Sequence, residues 1–168
     1  MAKTSYAIAL GSNRRHGRHG APANVVEAAI AALGRIGRVE RVSRIRPTPA
    51  LGPAGRAFAN AALLLRTDLD PGRLLEALKD IERAFGRRPG RRWGPRVLDL
   101  DIVLWSEGPW SGAGLTVPHP EFRARRFVLE PLAEIAPGWI DPITGATMRQ
   151  LLYRLGRPAP VDRALPRS

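Results

Sequence analysis

Residues 96–104 read Arg-Val-Leu-Asp-Leu-Asp-Ile-Val-Leu, and this segment combines a strand pattern with two carboxylates. Large apolar residues recur at every second position, which is typical of a β-strand because successive side chains point to opposite faces. This spacing predicts a strand with one face turned toward a core. The residues expected on that face are Leu98, Leu100, Ile102 and Leu104.

The opposite face of the predicted strand carries two carboxylates. Asp99 and Asp101 are two residues apart, so they project together with Cα atoms about 7 Å apart. Val97 and Val103 share this face, which indicates that it is partly covered. A like-charged pair is unfavourable unless a cation or a proton neutralises it. The pair therefore indicates a cation site, with a solvated strand face as the alternative.

The segment just before this strand is rich in arginine. Residues 86–96 read Gly-Arg-Arg-Pro-Gly-Arg-Arg-Trp-Gly-Pro-Arg, with five arginines in the ten positions 87–96. Magnesium prefers carboxylate oxygens and commonly binds through substrate phosphates, and arginine guanidinium groups match phosphate oxygens. Together the segment and the aspartates predict a site for a metal-bound polyphosphate. An exposed basic loop, or a nucleic-acid contact loop with Trp93 as a stacking ring, remains the alternative.

Alternation and turn residues predict the remaining elements. Strands are expected at residues 5–10, 39–45, 58–66 and 97–105, and helices at 24–33, 70–85, 125–135 and 147–155. Asp70 is the expected N-cap of the second helix, with Pro71 at its first position. Three prolines and two glycines in residues 46–55 predict an irregular loop. The order βαββαβ predicts a ferredoxin-like α+β sandwich with additional C-terminal helices, in one domain over residues 1–168.

Composition narrows the classes of protein further. The chain has 168 residues, a net charge of +12 and no cysteine, which excludes disulfides, thiolate zinc sites and cysteine nucleophiles. No stretch approaches the roughly 18 apolar residues of a membrane span, and the N-terminal apolar run is short for a signal peptide. We therefore expect a cytoplasmic protein without a membrane partner. The charge points to a polyanionic partner, but P-loop and Rossmann glycine motifs are missing.

These motifs together resemble the hydroxymethyl-dihydropterin pyrophosphokinase family, over almost the whole chain. The most specific part is the run of residues 92–101, Arg-Trp-Gly-Pro-Arg-Val-Leu-Asp-Leu-Asp. The other matching segments are Gly11-Ser12-Asn13, residues 48–53 (Thr-Pro-Ala-Leu-Gly-Pro), residues 58–61 (Phe-Ala-Asn-Ala), Gly86-Arg87, residues 117–120 (Val-Pro-His-Pro) and residues 125–132 (Arg-Arg-Phe-Val-Leu-Glu-Pro-Leu).

The resemblance implies roles at the phosphate end of the site. Asp99 and Asp101 would hold two magnesium ions that bridge the phosphates of ATP, the co-substrate. Arg87 and Arg96 would stabilise the charge that builds up on the transferred group, and they are the implied catalytic residues.

The resemblance also implies residues for the two substrates. The pterin ring would lie between Phe58 and Phe127, because flat heterocycles bind between aromatic rings with fixed hydrogen bonds at their edges. The remaining pterin contacts would come from Thr48, Pro49, Leu51, Asn60 and Trp93. The nucleotide contacts would come from Ile102, Thr116, His119 and Arg125.

The expected function is the transfer of a diphosphoryl group from ATP to 6-hydroxymethyl-7,8-dihydropterin, giving AMP and the pterin diphosphate, in folate biosynthesis. The expected protein is a monomer whose partners are these two small molecules, with no nucleic acid. The alternative from a different class is a basic, ferredoxin-like nucleic-acid-binding module. Formation of AMP would identify the enzyme, whereas binding of single strands that weakens steeply with salt would identify the module.

Overall fold

The computed structural model describes residues 2–13, 19–48, 57–86, 97–112 and 114–156. Its elements are, in chain order, β1 (Thr4–Ser12), α1 (Pro22–Leu33), β2 (Arg38–Val42), β3 (Arg46–Thr48), β4 (Phe58–Thr67), α2 (Pro71–Gly86), β5 (Asp99–Trp105), β6 (Trp110–Gly112), β7 (Leu115–Val117), a 3-10 helix (Phe122–Ala124), α3 (Arg126–Ile135) and α4 (Met148–Gly156). None of the helices in these ranges is long and apolar enough to cross a membrane.

The central sheet is antiparallel and has the strand order β2-β4-β1-β5. The short strand β3 pairs with the same edge of β4 as β2 does, further toward the start of β4. In this register Gly11 of β1 lies opposite Asn60 of β4 and opposite Asp99 of β5. The pairing therefore brings two polar side chains to either side of one glycine.

Helices cover both faces of the sheet. Helices α1 and α2 pack on one face, here called the core face, against Tyr6, Ile8 and Leu10 of β1. Helices α3 and α4 pack on the other face, here called the cleft face, against Ala7 and Ala9 of the same strand. The arrangement mixes helices with an antiparallel sheet in three layers, and each central strand has different side chains on its two sides.

The core face supplies much of the buried apolar surface. Ile8, Leu63 and Leu65 are fully buried there, together with Leu74 and Leu78 of α2. Burial of a side chain of this size contributes about 1.5–3 kcal/mol each. Apolar packing therefore holds the strands and helices of this layer together without any contribution from the side chains that line the cleft.

The predicted start of α2 is confirmed. The Oδ1 atom of Asp70 accepts a hydrogen bond from the main-chain N–H of Arg73 at 2.9 Å, and Pro71 occupies the first helical position. The cap satisfies a donor that has no partner within the helix. Helix α2 consequently starts at a fixed point and runs toward β5.

Several predictions made from the sequence need correction. Leu104 packs on the cleft face and not on the core face, because β5 contains a bulge: Ala7 lies opposite Leu104, whereas Ile8 lies opposite Ile102. Val103 is the extra residue, so alternation shifts by one and Trp105 returns to the core face, where it stacks on Tyr6 at 5.8 Å. The predicted irregular loop begins with the strand β3, and the hairpin of β6 and β7 was not predicted.

Candidate active site

A cleft of about 540 Å³ opens on the cleft face, at the end of β1 and beside the start of α3. Its floor is formed by β1, its sides by β4 and β5, and its upper wall by α3 and the residue before it. Polar and aromatic side chains converge here on a floor of small residues. The lining residues are Ala9, Leu10, Gly11, Ser12, Asn13, Phe58, Asn60, Asp99, Asp101, Arg125, Phe127 and Val128.

Gly11 allows the polar side chains to approach each other. A Cβ atom at this position would lie 3.1 Å from Oδ1 of Asn60, closer than such contacts usually are. The residue therefore gives room to the amide of Asn60, which is half-buried in the cleft. In the same cleft, Oδ1 of Asn13 is buried and has no hydrogen-bond partner in the part of the chain that the structure describes. The centre of the cleft thus presents amide groups that a ligand can bind.

Asp99 and Asp101 line the same cleft from neighbouring positions on β5. Asp99 is exposed and Asp101 is half-buried. Within the described residues there is no cluster of three or more acidic, histidine or cysteine side chains that could enclose a metal ion. Two carboxylates beside an open cleft fit magnesium, because this ion is usually held by one or two carboxylates, water and substrate phosphates.

Glu82 of α2 supports the strand that carries the two aspartates. Its Oε2 atom accepts a hydrogen bond at 2.9 Å from the main-chain N–H of Leu100, the residue between them. β5 is an edge strand among the described strands, so within them this amide would otherwise have no strand to pair with. Sequence reasoning missed this contact, since the two residues are 18 positions apart and no motif joins them.

Two phenylalanines form the aromatic walls of the cleft. Phe58, at the start of β4, is 44% exposed, and Phe127, in the first turn of α3, is 51% exposed. Phenylalanine is usually buried, so two exposed rings at one cleft are informative. The structure brings both residues together with Asn60, as the sequence interpretation requires. These three side chains offer ring faces and a hydrogen-bonding edge to a flat ligand.

Arg125 is the charged residue on the wall formed with α3. Its guanidinium lies 5.8 Å from the ring centre of Phe127, and it forms an ion pair with Glu121. His119 does not line the cleft, but it is anchored nearby: its main-chain N–H donates to the carbonyl of Val103 at 3.0 Å, and its Nδ1 accepts from the N–H of Glu121 at 3.2 Å. With Nδ1 used as an acceptor, Nε2 is the nitrogen left for a ligand.

A buried ion pair anchors the segment that presents Arg125. Nε of Arg123 lies 2.5 Å from Oδ2 of Asp141, which is fully buried and also accepts from Thr144 and the N–H of Ile143. Burial alone would raise the pKa of Asp141, but the hydrogen bonds from Arg123, Thr144 and Ile143 outweigh it and lower the pKa to about 2. The carboxylate stays charged and holds the 3-10 helix in place.

The other residues expected to contact the nucleotide lie apart from the cleft. Thr116 lines a second, more open depression of about 440 Å³ with Trp110 and Arg123. The side chain of Ile102 is buried on the core face. Its main-chain N–H points to the same outer edge of β5 as that of Leu100, because alternate amides of a strand point the same way. A contact from Ile102 to a ligand would therefore use the main chain.

Several residues singled out from the sequence lie outside the described residues: Arg87, Trp93 and Arg96 of the arginine-rich segment, and Pro49 and Leu51 after β3. Thr48 is described as the last residue of β3, where it pairs with Phe58.

The sequence was compared with known proteins. A family model described as 7,8-dihydro-6-hydroxymethylpterin-pyrophosphokinase (HPPK) matches residues 7–137. A 2-amino-4-hydroxy-6-hydroxymethyldihydropteridine pyrophosphokinase of Synechocystis sp. is 45% identical over 106 residues, which cover 63% of this chain and 54% of that protein. Its counterpart from Pseudomonas aeruginosa is 50% identical over 88 residues, 52% of this chain and 54% of that protein. The chain thus spans about half the length of these relatives.

Solved structures show the same fold. The crystal structure of wild-type Plasmodium falciparum HPPK-DHPS matches with a TM-score of 0.69 at 12% identity, over 90% of this chain and 44% of that one. A crystal structure of that protein with pterin and p-hydroxybenzoate matches with a TM-score of 0.68 at 14% identity, over 92% of this chain and 42% of that one. At this identity the likeness supports the architecture alone.

Proposed function

Because this chain belongs to the 7,8-dihydro-6-hydroxymethylpterin-pyrophosphokinase family, we propose that it transfers a diphosphoryl group from ATP to 6-hydroxymethyl-7,8-dihydropterin, releasing AMP. The product is the pterin diphosphate, and the reaction belongs to folate biosynthesis. The observation that carries the proposal is the meeting of two carboxylates, two exposed phenylalanine rings and an amide in one cleft. This combination suits a flat heterocycle held next to a metal-bound phosphate.

The pterin occupies the part of the cleft between Phe58 and Phe127. Ring stacking accounts for the exposure of both side chains, which would otherwise leave apolar surface in water. Asn60 meets the hydrogen-bonding edge of the pterin. The lack of a side chain at Gly11 leaves room for this amide. Thr48, Pro49, Leu51 and Trp93 complete the pterin contacts by their place in the family motif.

Asp99 and Asp101 hold two magnesium ions together with the phosphates of ATP. When bound, the metal neutralises phosphate charge and polarises the phosphorus that is attacked. The two aspartates supply hard oxygen ligands from one rigid strand, and Glu82 fixes the peptide between them. The strand therefore orients the ligands before substrate arrives.

The nucleotide runs from the two aspartates toward the outer edge of β5. His119 and Arg125 contact its phosphates, Thr116 its ribose side, and the main chain of Ile102 its adenine. The catalytic residues are Arg87 and Arg96, which stabilise charge on the transferred diphosphoryl group as it moves. Their guanidinium groups act in the transition state, so they raise the rate more than the affinity.

The finer points of organisation are part of the same proposal. The strand order and the connecting helices support a ferredoxin-like βαββαβ arrangement with two further helices on the cleft face. We place the enzyme in the cytoplasm as a monomer, which agrees with the lack of cysteine in the sequence and the need for ATP.

Product identity tests the proposal. The protein is incubated with ATP, magnesium and 6-hydroxymethyl-7,8-dihydropterin, and nucleotides are separated by chromatography. AMP in equal amount with pterin diphosphate is expected, whereas ADP would indicate an ordinary kinase. Asp101→Asn removes the activity, while Asp68→Asn, an exposed aspartate away from the cleft, serves as the matched control. Absence of AMP together with salt-sensitive binding of single-stranded oligonucleotides would favour the nucleic-acid module.

A further inference from the structure

Five charged side chains of alternating sign connect α3 with β3 and with the segment just before β3, and we call them the α3 charge ladder. They are, in order of contact, Arg126, Glu130, Arg46, Glu134 and Arg44. Arg126 Nη1 lies 2.7 Å from Glu130 Oε1, and Arg46 Nε lies 3.9 Å from Glu130 Oε2. Arg46 Nη2 lies 2.9 Å from Glu134 Oε1, and Arg44 Nε lies 3.3 Å from the same oxygen.

The ladder joins the two walls of the cleft. On one side, Arg46 lies opposite Asn60 in the pairing of β3 with β4, and Thr48 lies opposite Phe58. On the other side, Arg126 directly precedes Phe127 in the first turn of α3. A displacement of Arg46 would therefore be passed both to the strand that carries Asn60 and to the helix turn that carries Phe127.

Arg46 is the centre of the ladder, and Arg44 is its end. The side chain of Arg46 is 27% exposed and contacts two carboxylates, whereas that of Arg44 is 79% exposed and contacts one. The Nη1 atom of Arg46 is buried and has no hydrogen-bond partner among the described residues, so the guanidinium is held between the glutamates by its Nε and Nη2 atoms. Partial burial raises the pKa of Glu134, but hydrogen bonds from Arg44 and the charge of Arg46 outweigh it and lower the pKa.

We infer that Arg46 is a positioning residue for the pterin site, which sets the separation of the Phe58–Asn60 wall from the Phe127 wall through Glu130 and Glu134. This inference rests on the proposed function, because the pterin is the ligand that both walls contact. Most of the nucleotide side of the cleft is built from β5 and its neighbours, and of the residues assigned to the nucleotide only Arg125 lies next to the ladder. Loss of Arg46 should therefore weaken pterin binding much more than nucleotide binding.

The test compares Arg46→Met with Arg44→Met. Binding of 6-hydroxymethylpterin is followed by its fluorescence, with magnesium and a non-hydrolysable ATP analogue present, and binding of the analogue is measured separately. We expect Arg46→Met to raise the Kd for the pterin about fivefold to tenfold, a typical coupling between contacting residues, with analogue binding within about twofold. Arg44→Met leaves both constants within about twofold, as exposed ion pairs usually do. In turnover, Arg46→Met raises KM for the pterin more than it lowers kcat.

A second variant keeps the test valid if Arg46→Met folds poorly. Glu130→Gln retains the shape of its side chain and should weaken pterin binding in the same direction. In the double variant with Arg46→Met, the two effects should fall short of their product, because both remove the same connection. Equal pterin Kd values for Arg46→Met and Arg44→Met, or equal loss of pterin and nucleotide binding, would overturn the inference alone. A wild-type protein that binds no pterin and forms no AMP would remove the proposed function and this inference with it.

Discussion

Strands β1, β4 and β5 contribute to both faces of the central sheet, yet the side chains on the two faces differ in size and polarity. β1 places Tyr6, Ile8 and Leu10 on the core face, and Ala7 and Ala9 on the cleft face. β5 divides in the same way, with Leu100 and Ile102 on one side and two aspartates on the other. One face fills the space beneath its helices, whereas the other leaves space that a ligand can enter.

The difference shows that stability and chemistry can be assigned to separate faces of one strand. A side chain on the core face contributes by burial, and its removal leaves a cavity. A side chain that lines the cleft, such as Asp99 or Asp101, is at least partly exposed and contributes little to packing, so it is free to be polar. Substitutions on the two faces should therefore affect different measurements.

The largest effect is expected at the carboxylates. Asp99→Ala and Asp101→Ala should each abolish turnover, because a lost metal ligand removes several kcal/mol of transition-state stabilisation, or about a thousandfold or more in rate. Unfolding in urea should be unchanged or slightly harder, since the loss of one of two like charges relieves repulsion. AMP formation and urea midpoints measure the two effects. Normal turnover with normal metal dependence in either variant would favour the solvated-face interpretation.

The opposite result is expected one residue before Ala9. Ile8→Ala removes a fully buried side chain from the core face and should lower the free energy of unfolding by about 2–5 kcal/mol. The folded fraction should retain a KM for both substrates near that of the parent protein. Urea unfolding measures the free energy of unfolding, and steady-state kinetics measures KM for both substrates. A variant of unchanged stability with impaired catalysis would contradict the assignment of stability to the core face and chemistry to the cleft face.

Acid should act on the layer that covers the cleft face, because Asp141 is buried there. Its folded-state pKa of about 2 lies below the ordinary value of 3.8, so its stabilising contribution is present above about pH 4. That contribution, about 2 kcal/mol, is lost as the pH falls through 4 to 2. The stability advantage of the parent over Asp141→Asn should shrink by this amount between about pH 6 and pH 2 in chemical unfolding. A constant difference across the range would contradict the assigned pKa.

The smallest effect is expected at the floor of the cleft. Gly11→Ala places a methyl group 3.1 Å from Oδ1 of Asn60, which must shift by a few tenths of an ångström. Pterin binding should weaken about threefold to tenfold because misplaced binding groups lose affinity steeply. Gly138→Ala is the control, since an added Cβ there meets no atom within 4 Å. Equal pterin Kd values for both variants would show that the amide has room to move.

The fold and the aspartate pair could be predicted because they depend on local patterns. Alternation in residues 96–102 assigns the two faces of β5, and Asp70 followed by Pro71 marks the start of α2. β3 was not predicted because Pro47 argues against a strand, but β3 lies at a sheet edge, where a residue without an N–H is tolerated. The bulge in β5 depends on its pairing with β1, which no single strand reveals.

The site residues that lie within sequence motifs could be predicted. Phe58, Asn60 and Phe127 were named from the resemblance, and the cleft brings them together. Glu82 and Arg46 were missed, because a carboxylate on one element and its partner on another have no fixed spacing in the sequence. Charged contacts of this kind follow from the tertiary fold and are visible only once the elements are packed.

The bulge at Val103 adds one residue to β5 and so shifts the alternation of its side chains by one position. Before it, odd-numbered residues face the cleft, and after it Trp105 faces the core instead. The carbonyl of the bulged residue is also the acceptor for the N–H of His119. Deletion of this single residue would leave the pairing on both sides of it unchanged, with Trp105 still opposite Tyr6, and would release the segment around His119. An insertion or deletion elsewhere in this strand would instead send the residues beyond it to the opposite face of the sheet.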